Sequence, residues 1–235
     1  MFKTISVFGG DSNVGATMIA QSMAEIAAGK GERVLFIEAS DKVLGSYVEF
    51  SDEDRDPATV LPSIEDILRG KDPAFCILSA GSFSVIRGGQ SVKPESFRKN
   101  FVYKLLQDVS EGFDRIIIDA GSNAANNLSL SALLASDRRF FIVRQNPKCV
   151  ERFKKAAEEV LIPEDIYKKG DKVIINAFRK NKLLYSKAQV ESTLLRSTYI
   201  LPFVREGLRC EYTKESLLWD KTFKKALTDI MNESL

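Results

Sequence analysis

The chain has 235 residues and sets 34 basic against 32 acidic side chains, a net charge of +2, with 44% hydrophobic and 28% charged residues. That length can bury a full core as one large or two small domains, and the near-even charge argues against a strongly basic nucleic-acid binder except through a local patch. There is no histidine, which excludes histidine acid-base catalysis and histidine metal ligation. Cys76, Cys149 and Cys210 are far apart and odd in number, so they form neither a zinc spacing nor a disulfide framework and read as reduced thiols of a cytosolic protein. The opening "KTISVFGG" shows no signal-peptide pattern, and no apolar run reaches membrane-spanning length.

In chain order, Thr4–Phe8 reads as a buried strand and Gly15–Ala28 as a helix closed by "GKG". Arg33–Ala39 is a second apolar run. "PSIEDILRG" is a short helix with a serine cap at Ser63 and a glycine stop at Gly70. Ala74–Ala80 reads as a strand, Glu95–Ser110 as a helix, and "FDRIIIDAG" as a buried strand ending in Asp119. "NLSLSALLAS" is a helix, "RRFFIVRQN" a strand, and "PKCVERFKKAAEEVL" a helix with proline in its first turn. "DKVIINAF" is a strand, "YSKAQVESTLLRS" a helix, "YILPFV" a strand, and the tail from Lys214 is helical. Polar loops are expected at Asp41–Pro62 and Gly81–Pro94. Apolar strands alternating with amphipathic helices predict an α/β fold, a mostly parallel sheet covered on both faces, over residues 1–235 as a single domain. Ligands of such sheets bind beyond the carboxyl ends of the strands.

One such place is "GGDSNVGATMIAQSMA", Gly9 to Ala24. It approaches the phosphate-loop pattern G-x-x-x-x-G-K-[ST]. Gly10, Gly15 and Thr17 fit, but Ala16 holds the lysine slot. A strand, a glycine-bearing loop and a helix start aim backbone N–H groups at an anion, and those donors need no lysine. The alternative is a tight turn that binds nothing. Asp119, at the end of a buried strand, stands where a nucleotide fold keeps its magnesium-associated carboxylate, and Thr17 offers a hydroxyl ligand. By itself Asp119 reads rather as a strand-end turn residue or helix cap.

Taken together, the chain resembles the MinD/ParA family of deviant Walker A P-loop ATPases, and within it the CpaE/TadZ branch of pilus assembly and polar localisation. The corresponding pieces are "DSNVGAT", "FIEASDKVLGSY", "IIIDAG", "VIINAF" and "LPFV" followed by "EGLRCEYTKES", the last a loop of small or polar residues. The resemblance implies a nucleotide site of Gly10, Asn13, Val14, Gly15, Ala16, Thr17, Met18, Asn176 on the base side, and Pro202. It implies ATP or ADP with Mg²⁺, the metal on Thr17 and Asp119. It also implies a homodimer and, as partners, components of a pilus or secretion machine.

The departures from the family pattern are specific. The signature lysine aligns with Asp11, the loop lysine with Ala16, and the two inner glycines with Ser12 and Asn13. The acidic motif's two aspartate slots hold Glu38 and Ser40, so the water-positioning aspartate is missing. One charge-assisted hydrogen bond contributes roughly 1.5–3 kcal/mol, so losing two lysines and placing the Asp11 carboxylate near the phosphates weakens triphosphate binding by about a hundredfold or more. Hydrolysis suffers further, because phosphoryl transfer relies on electrostatic stabilisation. The expectation is a pseudo-ATPase with no catalytic residues, binding nucleotide weakly or not at all. Arg87 or Arg144 is a potential substitute phosphate ligand.

Two further surfaces leave readings open. The tail "KESLLWDKTFKKALTDIMNESL" puts Leu218, Phe223, Leu227, Ile230 and Met231 on one side, as the last core helix or as a membrane-surface helix on a cytoplasmic protein. "AFRKNKLLYSK" clusters Arg179, Lys180, Lys182 and Lys187, a solvated rim or a DNA contact. An active ATPase with a compensated site and a DNA-partitioning protein are the alternatives to the scaffold.

Overall fold

The computed structural model describes residues 3–40, 61–89, 93–168, 170–213 and 215–233. The polar loop expected at Asp41–Pro62 lies outside them except for its last two residues, as does the acidic stretch beyond Ser40.

Among the described residues eight strands form one sheet: β1 (Thr4–Gly9), β2 (Val34–Glu38), β3 (Leu78–Ala80), β4 (Phe83–Ile86), β5 (Arg115–Asp119), β6 (Arg138–Val143), β7 (Lys172–Phe178) and β8 (Thr198–Pro202). Their order is β3-β4-β2-β5-β1-β6-β7-β8, and every neighbouring pair is parallel except β3 with β4. The α/β expectation is met. The helices are α1 (Ala16–Gly29), α2 (Ile64–Leu68), α3 (Phe101–Val109), α4 (Asn127–Ala135), α5 (Pro147–Ala156), α6 (Lys187–Leu194), α7 (Gly207–Thr213) and α8 (Lys221–Asn232). Both α1 and α4 pack on β1, whose six residues are all buried, so the sheet is covered from both sides. The continuous apolar runs follow from this: β2 and β5 are likewise buried at every position.

Four expectations are corrected. Ala74–Ala80 is not one strand, because Pro73 begins a 3-10 turn through Cys76, capped by Asp72, whose carboxylate accepts from Ala74 N at 2.9 Å; only Leu78–Ala80 is extended. The loop expected at Gly81–Pro94 contains β4, held because Phe83, Val85 and Ile86 reach the core. The helix expected from Glu95 begins at Phe101, after a 3-10 turn at Pro94–Ser96. The stretch expected as a loop after β8 forms α7, with Cys210 buried.

The tail resolves in favour of the core. Phe223, Leu227, Ile230 and Met231 on α8 are all buried, and α8 packs on β8 and α1. Among the described residues no helix is long and apolar enough to cross a membrane.

Candidate functional site

Strand β1 lies where the chain's connections change direction, to β2 on one side and β6 on the other. Crevices form beyond the carboxyl ends of strands at such a point, and the glycine loop leaves β1 there. Gly9 N donates to Gly121 O and Gly10 N to Ile142 O, both at 2.7 Å, so the loop springs from between β5 and β6. A Cβ on Gly10 would stand 2.7 Å from Phe153 Cβ, and only glycine fits there. Phe153 is itself fixed by Phe141 and Tyr167, with ring centroids 5.4 and 5.6 Å away. Burial pushes the Tyr167 hydroxyl up to about 12.

Asn13 and Gly15 take left-handed backbone at φ 58° and 88°. These turns bring the chain into α1, which starts without a side-chain cap and without an acid in its first turn. By contrast α4, α5, α6 and α8 start on acceptors from Asn126, Asn146, Ser186 and Asp220. The first-turn N–H groups of α1 are thus the donors that an anion would meet.

The loop is tied from two sides. Asn176, on β7, donates Nδ2–H to Val14 O at 2.7 Å, while its Oδ1 accepts from Ala177 N at 2.8 Å. The residue expected on the base side therefore also fixes the loop. Asp11, in the signature lysine's slot, accepts from Arg152 Nη1 at 2.9 and 3.1 Å. Its charge is offset within the chain, which moderates the repulsion expected toward a phosphate. Ala16 is buried, and the loop offers no ammonium group.

A cavity of about 510 Å³ opens at the strand ends, within the size range of small-molecule sites. The loop and α1 supply Asn13, Gly15, Thr17 and Met18 to its wall; β7 supplies Asn176 and β8 Pro202. Six of the nine expected nucleotide residues thus line one cavity, while Gly10, Val14 and Ala16 shape the loop beneath. Phe203, Leu217 and Phe223 add apolar surface. Of the two arginines proposed as substitutes, Arg144 lines the cavity and Arg87 does not. Arg179 and Arg205 also line it, and sequence reasoning had not placed them there. Arg179 lies flat on the Phe203 ring, 3.3 Å from its centroid.

The carboxylates lie on the other side of β1. Asp119 is 1% exposed, in register with Val7 on β1 and Glu38 on β2, and its Oδ1 accepts from Gly121 N at 3.1 Å. It ends the strand next to β1, whose loop leads into Thr17. Glu38 is turned toward β4, where Oε2 accepts from Gly88 N at 2.8 Å. Among the described residues no three acidic or thiol groups cluster as a metal site. Burial pushes the Cys149 thiol up, and its Sγ accepts from Arg144 N at 3.4 Å.

Comparison of the sequence with protein-family models and with curated proteins finds no match. Solved structures do match over almost the whole chain. The cell division ATPase MinD of Pyrococcus furiosus superposes with a TM-score of 0.79 at 14% identity, over 99% of this chain and 100% of that one. MinD in the MinC:MinD cell division complex of Aquifex aeolicus gives 0.78 at 18%, over 99% and 97%. A ParA family ATPase from Chlorobium tepidum TLS gives 0.73 at 14%, over 97% and 96%. At these identities the likeness is one of fold: the chain has the architecture of the MinD and ParA ATPases.

Proposed function

We propose that this chain is a MinD/ParA-type scaffold, one domain over residues 1–235, that keeps a nucleotide pocket and has lost effective hydrolysis. The observation that carries this reading is a phosphate loop of the right shape with no ammonium in it. Ala16 is buried in the lysine slot, and Asp11, in the other, is neutralised by Arg152. The pocket supports retention of a ligand: α1 begins uncapped, and Asn13, Thr17, Met18, Asn176 and Pro202 surround a cavity of nucleotide size.

In this reading backbone N–H groups of the loop and α1 hold the phosphates, and Arg144 supplies a positive charge near them. Magnesium keeps several waters and takes only one or two carboxylates when phosphate shares it. Thr17 and Asp119 fit that demand, on α1 and on the strand adjoining β1. A bound magnesium would neutralise phosphate charge; the residues of this chain then orient the nucleotide and do not turn it over. With Ser40 in place of a second aspartate, the slot that would position an attacking water carries no carboxylate.

The MinC:MinD complex shows that a protein of this fold docks a partner. The corresponding role here is a homodimer that positions a pilus or secretion machine. The packed apolar face of α8 favours docking through proteins over insertion into a membrane. The test combines calorimetry of ATP and ADP, with and without Mg²⁺, with a phosphate-release assay and sedimentation. Micromolar to millimolar binding, self-association and no turnover is the expected result. Magnesium-dependent turnover abolished by Asp119→Ala would replace it with the second reading, an ATPase compensated by Arg144.

A further inference from the structure

The arginines of the cavity are not distributed as a substitute for one lysine would be. Parallel strands lie about 4.8 Å apart, so the ends of β6, β7 and β8 step away from the β1 loop to about 14 Å. Arg144 follows β6, Arg179 follows β7 and Arg205 follows β8. Arg144 belongs to the strand beside the loop and serves the phosphates there. Arg179 cannot serve them, because its guanidinium is stacked on Phe203, which follows β8. Its charge is held on the β8 side of the cavity, beside the strand that leads to Arg205.

No carboxylate lines this cavity among the described residues. Among the described residues none of Arg144, Arg179 and Arg205 has an ion-pair partner either, although ion pairs such as Arg115–Glu32 and Arg139–Asp171 form elsewhere. A guanidinium stacked on an aromatic ring keeps its outward N–H groups for a planar or tetrahedral oxyanion. The cavity thus has two separate anion-seeking ends, the uncapped start of α1 and the Arg179–Arg205 end, with apolar Phe223 and Leu217 in its wall.

We infer that the cavity takes a nucleotide bearing a second phosphate remote from the first, with Arg179 and Arg205 holding that second phosphate. This rests on the reading above that the cavity binds a nucleotide, and adds which class. An adenylate with phosphate on its 3′ oxygen has this chemistry, as a monoester in a nucleoside polyphosphate or as a diester in a dinucleotide.

The test is titration calorimetry of the full chain with ADP, with adenosine 3′-phosphate 5′-diphosphate and with the dinucleotide pApA, at fixed low salt. The 3′-phosphorylated nucleotide is expected to bind about tenfold or more tightly than ADP, the worth of one charge-assisted contact. In the Arg179→Ala, Arg205→Ala double variant that preference should disappear, the two nucleotides binding alike. Both residues are exposed at the rim, so the variant keeps its core. Preference for the monoester or for pApA assigns the class, and either supports the proposal. Equal binding of all three overturns it and leaves the nucleotide pocket standing. No binding of any, at millimolar concentration, overturns both. Salt-sensitive binding of random duplex DNA, tighter than any nucleotide and lost in the double variant, gives the arginines to nucleic acid and overturns the proposal.

Discussion

The two ends of the sheet treat charge in opposite ways. At the amino ends of the strands the buried arginines are met inside the chain. Arg115 donates to Glu32 at 2.8 and 3.2 Å, and Arg139 to Asp171 at 3.3 Å and to the carbonyls of Leu133 and Ser136. Asp137 accepts from the backbone of Lys3 and Thr4, and Arg33 forks onto Asp114. At the carboxyl ends, Arg144, Arg179 and Arg205 share a cavity with no acid among the described residues. One end closes its electrostatics and holds the fold together. At the other, Asp11 is met by Arg152 but the three cavity arginines are left open.

The sharpest contrast is in stability. Arg139→Met strands the buried Asp171 and should cost about 3–5 kcal/mol in urea unfolding. Arg179→Met should cost less than about 0.5 kcal/mol, and an equal loss at both positions would erase the contrast. Next is the loop. Gly15→Ala forces a side chain into φ 88° and puts its Cβ 2.6 Å from Asn176 Nδ2, for a loss of about 1–3 kcal/mol. Asn176→Ala, which frees Val14 O, should cost about 1 kcal/mol in the same unfolding measurement. The smallest effect is at the amino end, in acid. Arg33 holds the Asp114 carboxyl down to about 2, below its unfolded value near 3.9. Its stabilisation is complete above about pH 4 and disappears as the pH falls toward 2. Asp114→Asn should remove that contribution at neutral pH and flatten the acid limb of the unfolding curve.

Much of the framework was legible in the sequence because its signals are local. Unbroken runs such as "RIIID" announce strands buried on both faces, and "GGDSNVGAT" marks its turn by the glycines that its backbone needs. Asn176 and Pro202 were expected from the family resemblance, and both line the cavity. What was missed depends on distant partners. The pairing of Asp11 with Arg152 joins positions 141 apart in the chain. Arg179 read as part of a charged rim, since nothing local shows that Phe203 will lie under it. Strand β4 escaped notice because its four residues gain their pattern only between β2 and β3.

The ties on the glycine loop bear on how a signal could pass through this protein. Asn176 grips Val14, Phe153 sits under Gly10, and Arg152, its neighbour on α5, grips Asp11. A loop already set in its final shape spares a ligand the entropy of ordering it. It also removes the contrast between empty and filled that a molecular clock runs on, since a ligand shifts only an equilibrium whose two states it binds differently. The lever points the other way: Arg152 is 67% exposed on α5, so whatever grasps that helix pulls on the loop from outside.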